Sequence, residues 1–193
     1  MAFRTTDYGK SWERIVDAED VFGFTLSILQ DPIEPNLYFL GTENGMFISF
    51  DGAKKWQHWT HDFPVGVPVA DIVLQEREHD LVIGTYGRSL WVLDDIRPLR
   101  AAATDASVMT KTLEVFDIPD TYQLRGTRNP DGFRWSTWHL WEGDNRYESA
   151  RVSYLINKPE DESVKADSLI VHIKDGDEVI RTLRMKAPDE AGV

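Results

Sequence analysis

Apolar and polar positions alternate with a period of two along much of this chain, a spacing that predicts strands rather than helices. Thr25-Leu26-Ser27-Ile28-Leu29-Gln30 alternates cleanly and reads as a strand. Asp31-Pro32-Ile33-Glu34-Pro35-Asn36 follows as a turn, because proline fixes φ and Asp and Asn side chains bond back to the backbone. The apolar stretch 37–40 predicts a buried strand, and 46–50 and 56–59 complete a set of four. A second set begins after the Pro- and Gly-containing stretch 63–68, with strands at 70–75, 81–83 and 89–93 and a turn at 76–80. Ahead of both, residues 1–16 read as two short strands about a turn, and 17–23 as a linker. Beyond residue 100, Ala101-Ala102-Ala103 and its neighbours predict a short helix or a linker, and 113–116 a short strand. Alternation returns at 150–156, 168–173 and 178–183. Asp175-Gly176 between the last two predicts a hairpin, because that dipeptide suits the left-handed backbone of a tight turn.

The first half of the chain repeats itself. Thr5-Thr6-Asp7-Tyr8-Gly9-Lys10-Ser11-Trp12 is echoed by Ser49-Phe50-Asp51-Gly52-Ala53-Lys54-Lys55-Trp56, with Asp7 to Asp51 and Trp12 to Trp56 both 44 residues. Gly41-Thr42-Glu43-Asn44-Gly45 recurs as Gly84-Thr85-Tyr86-Gly87, 43 residues on. An all-β unit with a period of about 40–50 residues is the sign of a propeller blade. The expected fold is therefore all-β. Residues 1–99 would form part of a β-propeller, two to three four-stranded blades, and 100–145 an aromatic-rich connector. Residues 146–193 would begin a β-sandwich that stops short of its roughly seven strands. Asp94-Asp95-Ile96-Arg97-Pro98-Leu99 replaces the next Asp turn and Trp, so the chain is expected to leave the ring there. Three blades cannot close a ring, since known rings hold about four to eight. The expectation is a C-terminal portion of a larger wheel, with Met1 in mid-blade, or a set of blades completed by partners.

The two Asp turns resemble the Asp box (BNR repeat) of sialidases, sortilin-type receptors and related propellers, Ser/Thr-x-Asp-x-Gly-x-x-Trp. Thr5, Asp7, Gly9 and Trp12 match throughout; Ser49, Asp51 and Trp56 match in the second copy. There Ala53 stands where Gly is expected and Gly52 comes one residue early, which predicts a slightly different turn. In such a turn the carboxylate accepts backbone N–H groups, Gly takes positive φ, and Trp packs between sheets. The roles are structural, and the resemblance places the boxes away from any catalytic face. The segment 84–99 resembles the closing part of large bacterial glycosyl-hydrolase-like, sortilin-like propellers. There it precedes a linker and an immunoglobulin-like module, which stretches 143–154 and 175–183 also resemble. The resemblance implies a secreted or periplasmic protein.

Composition narrows the chemistry. A net charge of −12 over 193 residues argues against nucleic acid, whose phosphates need a basic footprint. The absence of cysteine excludes disulfides and thiolate catalysis. No apolar run reaches the roughly 20 residues of a membrane span, and no His-x-His or His-Glu-x-x-His spacing suggests a metal. No cofactor is expected.

In Asp94-Asp95 and Glu160-Asp161-Glu162 the adjacent carboxylates would, in a strand, point to opposite faces instead of meeting across a glycosidic bond, and they read as a strand exit and a solvated loop. The remaining candidates for ligand contact are Arg88 and the aromatic run Trp135, Trp138 and Trp141, which suits either a domain seam or stacking on sugar rings. The leading expectation is a non-catalytic ligand-binding or scaffolding segment, its partners the remaining blades and a glycan or peptide. One alternative is part of a sialidase-type glycoside hydrolase whose catalytic residues lie mostly in missing blades; another is a sortilin-like peptide receptor.

Overall fold

The computed structural model describes residues 1–121, 149–157 and 168–186. Among them the chain is mostly strand, arranged as several small antiparallel sheets, none closed on itself. β1 (Ala2–Arg4) and β2 (Glu13–Val16) form the first, a two-stranded hairpin. β3 (Thr25–Gln30), β4 (Tyr38–Thr42), β5 (Gly45–Ser49) and β6 (Gln57–Trp59) form the second, an up-and-down sheet in chain order. β7 (Val69–Gln75), β8 (Asp80–Thr85) and β9 (Leu90–Leu93) form the third. Tight turns keep neighbours in the chain neighbours in the sheet, as local antiparallel pairing requires.

The three sheets lie in layers, and the alternation of side chains decides what each face meets. β4 and β5 are buried at every position. Tyr38, Leu40, Phe47 and Trp56 point one way, into a core shared with Ile15 and Val16 of β2. Phe39, Met46 and Ile48 point the other way, into a core shared with Val69, Ile72, Leu81 and Ile83 of the third sheet. The central sheet is thus covered on both faces, which is why 37–40 is apolar without interruption. Among the described residues each flanking sheet is covered on one face, with Phe3 exposed on the first and Val73 and Val92 exposed on the third.

The second and third sheets are copies down to their irregularities. β3 skips Leu26 in its register with β4, and β7 skips Ala70 in its register with β8, 44 residues later. The row Leu29–Phe39–Ile48 across the second sheet has as its counterpart Val73–Val82–Val92 across the third. Gly41, on the same face as Phe39, shows how tightly the layers meet. A Cβ there would fall 2.5 Å from the Val69 carbonyl oxygen and 2.3 Å from Ser27 Oγ. At the counterpart Gly84 the nearest atoms are 3.6 Å away and belong to its own sheet.

After β9 the chain turns into helix α1 (Arg97–Thr104). Proline in the first turn costs no hydrogen bond and the alanines have the highest helix propensity, so local preference and structure agree. A short 3₁₀ turn (Ala106–Thr110) follows, its first N–H groups capped by Asp105. β10 (Leu113–Val115) pairs with β11 (Tyr154–Ile156), and Val108, Phe116 and Leu155 make a small core beneath Ala101. β12 (Ser168–Asp175) and β13 (Glu178–Lys186) form the hairpin that Asp175-Gly176 predicts, with Gly176 at φ +58°. The segments 122–148 and 158–167, with Trp135, Trp138, Trp141 and Glu160-Asp161-Glu162, lie outside the described residues.

Candidate functional site

The two Asp turns are built alike. Asp7 Oδ1 accepts from the Ser11 N–H at 2.8 Å, and Asp51 Oδ1 accepts from the Lys55 N–H at 2.9 Å. Thr5 Oγ1 donates to Asp7 and accepts from the Gly9 N–H at 2.8 Å; Ser49 Oγ donates to Asp51 and accepts from the Ala53 N–H at 3.0 Å. The expected difference between the copies is not found, and the backbone gives the reason. Both turns place two successive residues at positive φ: Tyr8 (+59°) and Gly9 (+87°) in one, Gly52 (+75°) and Ala53 (+68°) in the other. One glycine relieves the strain of such a pair from either position. The displaced glycine therefore changes nothing in the hydrogen bonding.

Each carboxylate serves its own loop. Asp7 has its pKa lowered to about 2, chiefly by the Ser11 hydroxyl and backbone N–H donating to it. The Thr5 and Ser49 hydroxyls and the loop N–H groups hold the two carboxylates in place.

The two tryptophans differ in surroundings. Trp56 is 9% exposed, meets Tyr38 edge-on and donates Nε1–H to the Ile15 carbonyl at 2.9 Å. Ile15 is the residue β2 skips in its register with β1, so its carbonyl is available. Arg4 adds bonds from β1 to Tyr38 Oη (3.1 Å) and the Gly52 carbonyl (3.4 Å). Trp12 holds the same place in its own turn but is 63% exposed. A groove of about 320 Å³ runs along the junction, lined by Glu13, Asp17 and Asp20 on one side and Gly52 to Lys54 on the other.

Arg88 stands exposed on the β8–β9 turn, where Gly87 (+85°) and Ser89 (+65°) bend the chain. Its carbonyl accepts the Trp91 indole N–H at 2.9 Å, and Trp91 meets Phe63 edge-on, which fixes the base of the turn. Asp94 and Asp95 act separately: Asp94 binds Arg151 at 2.7 Å, and Asp95 binds Arg97 through two oxygens.

A buried polar cluster among the described residues has no motif in the sequence. Buried Asp31, in the β3–β4 turn, accepts the N–H groups of Ile33 and Glu34 and a two-point bond from Arg100 of α1, with Nη2 at 2.8 Å. Arg100 Nη1 lies 2.8 Å from His79 Nδ1 in the β7–β8 turn. Burial pushes the Asp31 carboxyl up, but the Arg100 guanidinium and the two N–H groups outweigh it and hold the group below the usual range. Nothing local reveals this meeting of residues 31, 79 and 100; only the stacking of the two sheets creates it.

Among the described residues no three acidic or histidine side chains gather as metal ligands would, and no helix is long and apolar enough to cross a bilayer. No family model, curated protein or solved structure matches the chain.

Proposed function

We propose that this chain is a run of two to three blades from an Asp-box β-propeller, followed by a connector and the start of an immunoglobulin-like module. It works as a non-catalytic scaffold and ligand-binding segment, with a glycan or peptide as ligand. One observation carries the reading: the row Leu29–Phe39–Ile48 is sealed by the next sheet, whereas its counterpart Val73–Val82–Val92 lies open. Ile48 is 2% exposed and Val92 57%. Exposed Trp12 and Phe3, on the opposite flank, and exposed Leu26 and Ile28 on β3, beside a first sheet of only two strands, support the same reading. Each position is apolar as if a further sheet belonged beside it.

A scaffold role is favoured because Asp7 and Asp31 take internal donors on both carboxylate oxygens and Asp51 takes three on Oδ1. Arg88, exposed and without an ion-pair partner among the described residues, is the ligand contact this reading selects.

Screening the purified chain against a glycan array and a peptide library tests it. Binding in one class, weakened at least about tenfold by Arg88→Ala, is expected; one lost charge-assisted hydrogen bond corresponds to that factor. Binding in neither class, or hydrolysis of any aryl glycoside in a panel, would overturn the assignment.

A further inference from the structure

We propose that Asp31, Arg100 and His79 form an acid-labile clamp that fastens α1 to the turns of two consecutive sheets and lets go when His79 takes up a proton. The geometry requires the imidazole to be neutral. Arg100 has no acceptor to offer, so the 2.8 Å contact from Nη1 is a hydrogen bond only if His79 Nδ1 carries the lone pair. A proton on Nδ1 would turn that bond into two cations in contact.

The surroundings do not cancel the effect. From α1, Arg100 and Arg97 both face the ring and oppose its charging. Asp95, in the link before the helix, and Asp31, in the β3–β4 turn, favour charging, but both are already bound to guanidinium groups, Arg97 and Arg100. Within the histidine's own turn, Arg77 and Glu78 pair with each other at 2.8 Å, and Asp80 accepts the Asp95 N–H at 3.0 Å. Burial, then the two arginines, hold the His79 pKa below its ordinary value.

The clamp has few substitutes. Besides Arg100, the helix is tied by Thr104 Oγ1 donating to Glu34 (2.6 Å), the Ile96 N–H donating to the His79 carbonyl (2.8 Å), and the apolar contacts of Ile96, Leu99, Ala101 and Ala103. One of these ties, from the Ile96 N–H, ends on the His79 turn itself, so loosening that turn loosens it as well.

The sign follows from linkage. A histidine whose folded pKa is depressed contributes its full stability above the unfolded value near 6.5. The contribution falls away as the pH drops from there through the folded pKa. Hydrogen exchange of the 97–105 amides at pH 7.5 and pH 5.0, corrected for intrinsic exchange rates, should show protection falling up to tenfold for each unit of depression.

His79→Asn is the decisive variant. Its amide oxygen can take the place of Nδ1 as acceptor, it does not titrate, and asparagine tolerates the φ of +62° found there. It should keep the protection seen at pH 7.5 and lose the acid-induced drop. An NMR titration of His79 in the native chain gives a second readout if the variant does not fold. A His79 midpoint at or above 6.5, or an unchanged acid-induced drop in a folded His79→Asn, would overturn the clamp.

Discussion

Trp56→Phe, set against Trp12→Phe, separates what a residue is from what surrounds it. Both tryptophans end the same eight-residue motif, but only Trp56 has a sheet to pack on. Replacing its indole removes the Nε1–H that satisfies the Ile15 carbonyl at 2.9 Å. The bond itself is worth about 1 kcal/mol, and stranding a buried acceptor raises the loss toward about 2. The smaller ring also leaves roughly 40 Å³ unfilled, which at about 24 cal/mol per Å³ adds close to 1 kcal/mol. The expected loss is about 2–3 kcal/mol, read as a lower urea midpoint at unchanged slope. Trp12→Phe has no such bond to lose and should stay within about 0.5 kcal/mol. Equal losses at the two sites would refute the reasoning, because they would mean that the motif, and not the neighbouring sheet, sets the energy.

Three further outcomes follow from other parts of the structure. Gly41→Ala should cost about 2–3 kcal/mol, since the new methyl meets the Val69 carbonyl oxygen at 2.5 Å, whereas Gly84→Ala should be neutral within about 0.5 kcal/mol; thermal denaturation of the pair decides it. Asp31→Ala should destabilise by about 3–5 kcal/mol by leaving Arg100 buried without a counter-ion, and adding Arg100→Met should recover part of that loss in a double-mutant cycle. Tyr8→Gly should raise stability by about 0.5–1 kcal/mol in chemical denaturation, because Tyr8 is exposed yet held at φ +59°, a conformation that penalises a side chain.

The strands of the second and third sheets were legible in the chain because their signals are local. Alternation at 25–30 and the Pro- and Asp-containing turn that follows give β3 and its end within the residues themselves. The helix was only half legible: the alanines mark it, but its start at Arg97, inside a segment that otherwise reads as strand exit, depends on β9 stopping at Leu93. The Asp turns were readable as turns. That Gly52-Ala53 and Tyr8-Gly9 are interchangeable was not, because the positive φ of the non-glycine partner leaves no trace in residue type. The Asp31–Arg100–His79 cluster was invisible, its members 69 and 21 residues apart.

By itself the sequence determined the period of about 44 residues, the strand-and-turn grammar of each unit, and the acidic, cysteine-free character of the chain. These are properties of short stretches, fixed by backbone preferences and by which side chains avoid water. Only the tertiary structure decided which copy of each repeated residue is covered. Trp56 and Trp12, Gly41 and Gly84, Phe39 and Val82 are matched by position, yet they meet different neighbours. Coverage depends on which sheet stacks on which, and a residue carries no record of that.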